Sequence, residues 1–282
     1  MGKLESYWLE KLTAEKPFAH WWDRKQELLK ERGAEMIRLN GDGRVFSRKR
    51  YDGKDVIQYL LHLSLFIKQR DYYYMEELII PYRFVLIDGE IKNHEQVRVY
   101  EDRFTRGPNK SLQTSRTKLS KRFSYDRRAA VQYAEYWWNS YNPAYERFSV
   151  DCTNFVSQCL AAGGAPMWGA PVRERGWWYK DNDWSFSWSV AHSLRWYLSG
   201  STSGLTGREV ERVEDLLPGD VICYDFQGDG RWDHTTIVVA KDANGMPLVN
   251  AHTDNSRHRY WSYEDSTAWT PNIQYKFFTI GE

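Results

Sequence analysis

The stretch 151–164 constrains the fold most, because it joins a helical apolar stripe to a cysteine at its start. Apolar residues between 155 and 160 recur at the spacing of one helix face, and a Gly-Gly pair then ends the helix. Ser149 or Asp151 can cap the front, which puts Cys152 in or near the first turn. The free N–H groups and the positive end of the helix dipole favour an anion there. The pattern therefore predicts a Cys152 pKa below the usual value of about 8.5.

A structural role is the competing interpretation of this cysteine. Cys159 lies on the apolar stripe of the same helix and is expected to be an ordinary shielded thiol, as is Cys223 within a short strand. Cys152 taken by itself would be interpreted in the same way. What favours a reactive role is a histidine later in the chain, at position 234.

The composition is that of an ordinary globular protein. The 282 residues suit one large or two small domains. The 39 basic and 38 acidic residues give a net charge of +1, so no global field directs the chain to nucleic acid. Three cysteines do not make a disulfide framework, and none has the spacing of metal ligands, so we expect reduced thiols and no metal or other cofactor.

No targeting or membrane segment is predicted. No apolar run approaches the roughly 20 residues that span a bilayer, and the N-terminal residues have no apolar signal core. We therefore expect a protein that is cytoplasmic, or associated with the spore or cell wall by a route the sequence does not indicate. The sequence does not indicate an oligomeric state.

A basic, turn-rich segment over about 103–122 is the best linker candidate. Before it, two helical segments over 1–33 are followed by antiparallel strands over 35–102. The sequence predicts a small α+β accessory domain over 1–118 and a second domain over 119–282.

Two local features support the strands of the first half. Asn-Gly-Asp-Gly at 40–43 is a strong turn signal. Along 56–67 every second residue is apolar, which favours a strand with one buried face. A helix competes for 56–67 because the other face also carries apolar residues.

The last third changes its apolar period from that of a helix to that of strands. A helix over 125–138 and the cysteine helix are followed by short β-prone runs, and His234 opens one of these while Asn250 lies on the next. A cysteine nucleophile needs a base and a group that orients the base. Asn250 can orient the ring of His234 towards sulfur. His252 is two residues further on, hence on the same strand face, and is the alternative orienting residue.

Several separate motifs in this region resemble those of NlpC-type cell-wall peptidases. Asp-Cys-Thr-Asn-Phe at 151–155 is similar to their Asp-Cys-Ser-Gly-Phe signature, and Asp-His-Thr-Thr-Ile-Val at 233–238 resembles their His-Val-Gly-Ile-Tyr strand. As a whole, residues 125–280 resemble the putative amidase domain family of Gram-positive bacterial proteins, a branch of the NlpC and CHAP clan. The remaining matching runs are 137–143, 217–221, 228–234 and 250–253.

The resemblance implies an α+β, papain-like fold with the catalytic helix packed on a small antiparallel sheet. It implies a cysteine-dependent amide hydrolase with the triad Cys152, His234 and Asn250. The expected substrate is a peptide or cell-wall peptidoglycan, cut at the sugar–peptide amide or within the stem peptide. Residues expected to support the oxyanion or the cleft are Asp151, Thr153, Asn154 and Asp233.

Alternatives to this interpretation stay open. Thr153-Asn154 replaces the Ser-Gly of the signature, and Asn250 replaces a histidine common in NlpC enzymes. An acyl or peptidyl transferase would need the same triad. A non-catalytic wall-binding module is the alternative from another class. The acidic loop 225–233 lacks the third-position and twelfth-position ligands of a calcium loop, so it is expected to present His234 instead.

Overall fold

A computed structural model of the protein describes residues 2–13, 19–97 and 123–281. The predicted linker at 103–122 lies outside these ranges. No helix within them is long and apolar enough to cross a bilayer. Helices and strands are both present, and every strand pairing among the described residues is antiparallel.

The described residues of the N-terminal half, 2–13 and 19–97, form two helices against four strands, as the patterns predict. The elements are α1 (Gly2–Thr13), α2 (His20–Glu31), β1 (Ala34–Tyr51), β2 (Lys54–Gln69), β3 (Tyr72–Ile87) and β4 (Glu90–Gln96). The strand prediction for 56–67 is confirmed, because every second residue of β2 is buried under the helices.

The turn predicted at 40–43 is wrong. These residues lie within β1 and pair with Ser64–Leu61 of β2. The glycines serve close packing instead of a turn. A Cβ on Gly43 would lie 3.4 Å from Leu4 Cδ2 and 3.7 Å from Tyr59 Cδ2, so this glycine lets α1 approach the sheet.

The described residues of the C-terminal half, 123–281, form four α-helices and eight strands. The helices are α3 (Arg127–Trp137), α4 (Cys152–Ala162), α5 (Phe186–Ser189) and α6 (Ala191–Gly200), with a short 3-10 helix at Val213–Asp215. The strands are β5 (Tyr179–Lys180), β6 (Asp183–Trp184), β7 (Gly207–Val210), β8 (Val221–Asp225), β9 (His234–Lys241), β10 (Pro247–Ala251), β11 (Ser256–Tyr260) and β12 (Gln274–Ile280).

One sheet of ten strands connects the two halves. Its order is β1-β2-β3-β11-β10-β9-β8-β12-β7, with β4 paired to β3. The junction is short: Ser256 lies opposite Leu78 and Arg257 opposite Glu77. Leu248 of β10 also belongs to the apolar core under α1 and α2. The two halves therefore share a sheet and part of a core, and the domain boundary near 119 stays a prediction.

The central strands are covered on both faces. On one, here called the helix face, Ile237 and Val239 of β9 pack with α3 and α4. On the other, the opposite face, Val238 packs with Tyr224 and Tyr263. Successive side chains of a strand alternate between faces, so the parity of each residue decides which layer it meets.

Candidate active site

Cys152 is the first residue of α4, as the apolar stripe predicts. Asp151 occupies the N-cap position, and the apolar side of the helix is fully buried at Phe155 and Leu160. The thiol is itself buried, with only 1% of the residue exposed. Its Sγ lies 3.7 Å from Thr153 Oγ1, which in turn lies 3.1 Å from Thr235 Oγ1 on β9. The hydroxyl and the backbone N–H of Thr235 also hydrogen-bond to the thiol.

Burial raises the pKa of the Cys152 thiol above its ordinary value. The hydrogen bonds from Thr235 and Thr153 oppose this shift, and the neighbouring Asp151 carboxylate adds to it. The predicted lowering of the pKa is therefore wrong for this conformation, because desolvation of a thiolate outweighs the helix terminus. The prediction that Cys159 and Cys223 are shielded is confirmed, since both are fully buried with raised pKa values.

His234 is the first residue of β9, and its ring lies on the opposite face. It packs against Tyr224, Phe226 and Tyr263, with ring centroids 5.6, 6.0 and 5.0 Å away. Among the described residues, no hydrogen-bond partner reaches its buried Nε2. Burial lowers the pKa of His234 to about 3, helped by the positive charge of Arg259. The imidazole is therefore neutral.

The structure does not join Cys152 to His234. The thiol is held on the helix face by Thr235, and the imidazole of the preceding residue packs among aromatic rings of the opposite face. Within the described ranges, no hydrogen bond links the two side chains. Thr235, which contacts the start of α4, and His234 are consecutive residues whose side chains lie on opposite faces of β9.

Asn250 and His252 lie on the helix face and are both engaged elsewhere. Asn250 pairs with Ile237 on β9, its Nδ2 donates to Glu135 Oε1 at 2.8 Å, and its Oδ1 accepts from the backbone N–H of His258 at 2.9 Å. The predicted adjacency of the two strands is confirmed, but in the described part of the chain no hydrogen bond joins Asn250 to His234.

His252 is a partner of the cysteine helix. Its Nδ1 lies 2.7 Å from Asp151 Oδ2 and its Nε2 lies 2.9 Å from the Trp137 carbonyl oxygen. The ring stacks on Phe155 with centroids 4.1 Å apart. His252 therefore fixes the start of α4, next to the nucleophile candidate, rather than orienting His234.

The residues predicted to support the site hold the loops next to Cys152 and His234. Asp151 Oδ1 accepts hydrogen bonds from the Phe148 N–H at 3.0 Å and from Asn154 Nδ2 at 2.9 Å. Asn154 Oδ1 accepts from Trp188 Nε1 at 2.8 Å. Asp233 Oδ2 accepts from the Phe226 N–H at 3.2 Å, which shapes the loop before His234.

The acidic loop before His234 is organised by protein contacts. The carboxylate of Asp225 accepts from the N–H groups of Gly228 at 2.8 Å and Gly230 at 2.7 Å. In the described ranges, no cluster of three His, Cys, Asp or Glu side chains could hold a metal ion.

A cleft of about 520 Å³ opens beside His234. It reaches the start of α4 through Val150 and Thr253, and the Thr253 hydroxyl accepts from the Asp151 N–H at 2.9 Å. The sequence interpretation missed two charged residues in its wall, Asp254 and Arg259. Neither sits in a recognisable motif, although Asp254 directly follows the matching run 250–253.

The two missed residues carry opposite charges. Asp254 Oδ2 accepts from Gln96 Nε2 of β4 at 3.1 Å, and burial raises its pKa to about 6. Arg259 Nε donates to both oxygens of Asp265, at 3.1 and 3.2 Å. The cleft therefore offers a neutral imidazole, a carboxyl that titrates near neutrality and a fixed cation.

In a comparison with known protein families, residues 124–278 match the family model described as "Putative amidase domain". This match spans more than half of the chain. The chain belongs to this family. The family description points to amide hydrolysis as the activity of the amidase domain, here residues 124–278.

The curated relatives carry no functional description. The uncharacterized protein YhbB of Bacillus subtilis (strain 168) is 48% identical over 264 residues, covering 92% of this chain and 85% of that protein. The uncharacterized protein YjcM of the same organism is 31% identical over 140 residues, covering 46% of this chain and 31% of that protein. No solved structure matches the chain.

Proposed function

We propose that the amidase domain is a cysteine-dependent amide hydrolase of papain-like type, within the NlpC and CHAP clan, with Cys152 as nucleophile and His234 as base. Three features support this. The chain belongs to an amidase family, the candidate thiol begins a helix packed across an antiparallel sheet, and the candidate base adjoins the residue that holds the thiol.

The Nε2 atom of His234, which has no hydrogen-bond partner among the described residues, is the observation that carries the proposal. A buried polar atom without a hydrogen bond costs about 1–3 kcal/mol, so such an atom calls for a functional explanation. This one lies in the wall of a cleft that could admit a substrate. A neutral imidazole nitrogen able to accept a proton is what a thiol nucleophile requires.

The separation of the two side chains suggests a resting state that substrate converts to the active one. Both side chains are neutral in this arrangement, because burial raises the pKa of Cys152 and lowers that of His234. His234 is the first residue of its strand, so a rotation there would break its pairing with Tyr224 and leave the rest of the β8–β9 ladder in place. Rotation there would bring the imidazole to the thiol's side.

In the proposed reaction, His234 takes the proton of Cys152 and the thiolate attacks the amide carbonyl carbon. The first N–H groups of α4 have no partners within the helix, and they stabilise the oxyanion. His234 then gives its proton to the departing amine as the C–N bond breaks. Water attacks the thioester, and the carboxylate product and the free thiol result.

Peptidoglycan is the proposed substrate, cut at the sugar–peptide amide or within the stem peptide. Support comes from the motifs shared with cell-wall peptidases at 151–155 and 233–238. A cleft of about 520 Å³ is also wide enough for several residues of a peptide.

A non-catalytic binding module is the second candidate, and one observation favours it. The thiol is buried and shares no hydrogen bond with His234 within the described residues. A protein that only binds cell-wall peptides does not need contact between the thiol and the imidazole, so this arrangement is compatible with a binding function.

Product analysis tests the proposal. Soluble peptidoglycan fragments are incubated with the full-length protein and with Cys152→Ala, and the products are identified by mass spectrometry. Hydrolysis predicts a new free amine and a new carboxylate, formed only by the unmodified protein. Products that instead incorporate an added amine would identify a transferase. The binding module is indicated if fragments bind but stay uncut.

A further inference from the structure

Helix α2 contacts one wall of the cleft, although it lies outside the family match. We propose that α2 positions the cleft-wall loop, residues 263–270, and thereby sets the affinity of the amidase domain for its substrate. This inference rests on the proposed function and assigns a role to the N-terminal half of the chain.

The cleft-wall loop supplies a large part of the cleft lining. Tyr263 lies against the ring of His234, and residues 266–270 continue the wall. The loop has few hydrogen bonds of its own: Ser266 N–H donates to the Tyr263 carbonyl oxygen, Trp269 N–H to that of Ser266, and Ala268 N–H to Ser266 Oγ at 3.2 Å. A segment with so few internal bonds depends on outside contacts for a fixed shape.

Three residues on one side of α2 supply such contacts. Lys25 Nζ lies 2.6 Å from Asp265 Oδ2. Arg24 Nε donates to Glu264 Oε2 at 3.1 Å. One turn earlier, the ring of His20 stacks on Trp269 with centroids 5.7 Å apart. His20 and Arg24 are one turn apart on the same helix side, and the neighbouring Lys25 points further into the protein, so α2 holds the loop near both of its ends.

The ion pairs of Lys25 connect α2 to side chains in the cleft wall. Lys25 also pairs with Glu76 of β3, and these two side chains are 4% and 1% exposed. Asp265, held by Lys25, fixes Arg259 through both carboxylate oxygens, and the Arg259 guanidinium lies 4.1 Å from the centroid of the Tyr263 ring. A buried series of charges therefore links the N-terminal half to a cation and an aromatic ring in the cleft wall.

This arrangement makes α2 a positioning element, not a catalytic one. In the described part of the chain, none of its three residues contacts Cys152 or His234. Tyr263, the loop residue that packs on His234, has its own contacts with Ser256 and Arg259, whereas residues 266–270 line the part of the cleft where substrate would bind. Loosening the wall should therefore weaken substrate binding more than it slows the chemical step.

The test reverses one ion pair and then restores it. Arg24 and Glu264 are the most accessible of the contacts, with side chains 20% and 27% exposed, so their variants are expected to fold. Arg24→Glu places a carboxylate beside Glu264, and also beside Glu27 and Glu31 of α2, which pair with Arg24. Arg24→Glu/Glu264→Arg re-forms the pair between α2 and the loop. Arg48→Glu is the matched control, because it removes an ion pair with Asp55 on the β1–β2 hairpin, outside the loop contacts.

Two measurements are made on each full-length variant. Hydrogen exchange reports the protection of backbone amides in 263–270. Kinetics and calorimetry with a soluble peptidoglycan stem peptide report KM, kcat and the dissociation constant, the last in a Cys152→Ala background. Arg24→Glu should speed exchange in the loop and raise KM and the dissociation constant about fivefold, with kcat changed less than twofold. The double variant should restore all of these, and Arg48→Glu should change none.

Each other result decides against the inference. Unchanged loop exchange in Arg24→Glu would show that α2 does not hold the loop. Faster exchange with an unchanged dissociation constant, or no recovery in the double variant, would show that the contact does not set affinity. If the unmodified protein cuts nothing, the proposed function fails separately, and loop exchange with the dissociation constant still decides this inference.

Discussion

Replacing Lys25 by Met should destabilise the protein strongly. Lys25 Nζ lies between Glu76 and Asp265, and all three side chains are at least 96% buried. Removing the ammonium leaves two buried carboxylates with Arg259 as their remaining cation. Breaking a buried ion pair by removing one partner costs about 3–5 kcal/mol, so Lys25→Met should lower the melting temperature by about 6–20 °C.

Urea unfolding followed by circular dichroism measures this loss. Lys30→Met is the matched control, because Lys30 is exposed in the last turn of the same helix. Its effect should stay within about 0.5 kcal/mol. Adding Glu76→Gln to Lys25→Met should recover part of the loss by removing one uncompensated charge. Equal unfolding midpoints for Lys25→Met and Lys30→Met would refute the reasoning.

The pH dependence of this variant has a definite sign. Burial opposes ionisation of Asp265, but Arg259 and Lys25 overcome it and hold the pKa of Asp265 at about 2. In the unmodified protein this carboxylate contributes stability above its unfolded pKa of about 3.9, which is lost as pH falls towards 2. Without Lys25 the carboxyl is easier to protonate, so the stability gap between variant and unmodified protein should narrow from pH 7 to pH 4.

Three further outcomes follow from the site. Iodoacetamide should label Cys152 slowly at pH 7 in the folded protein without substrate, because burial raises its pKa, and rapid labelling at pH 6 would contradict this. His252→Ala should cost about 2–4 kcal/mol in urea unfolding through loss of the Asp151 contact and the packing of its ring, and an unchanged midpoint would argue against that role. Asp254→Asn should stabilise the protein at pH 7.5, where the raised pKa of about 6 leaves a buried charge, and the gain should shrink by pH 5; a gain independent of pH would exclude this cause.

The sequence predicts the local structure of the site, but it does not predict which face of the sheet each side chain lies on. The helical stripe after Cys152 placed the thiol at a helix start, because helix formation depends on neighbouring residues. The run His-Thr-Thr-Ile-Val-Val at 234–239 is buried on both faces, so its pattern does not say which residue meets α4. Thr235 meets the helix, and the parity of the strand therefore turns His234 away.

The roles of Asn250 and His252 depend on tertiary contacts that spacing does not reveal. Their shared face was predicted, and both lie on the helix face. Which partners they meet was set by Glu135 on α3 and Asp151 before α4, each more than 100 residues away in the chain.

The shared sheet was missed for a similar reason. β11 pairs with β3 through two residue pairs, and its sequence, Ser-Arg-His-Arg-Tyr, lacks an apolar alternation. Strand pairing between distant segments follows from the packing of the whole sheet rather than from local pattern.

The most direct test of the account is the rate of amine release from a peptidoglycan stem peptide by the unmodified protein and its cysteine variants. Removing a nucleophile typically costs a factor of about 10³ or more, so Cys152→Ala should lose that much of kcat. Cys159→Ala, at a buried position on the same helix, should retain activity within about tenfold. Equal rates for Cys152→Ala and the unmodified protein would contradict the claim that Cys152 performs the hydrolysis.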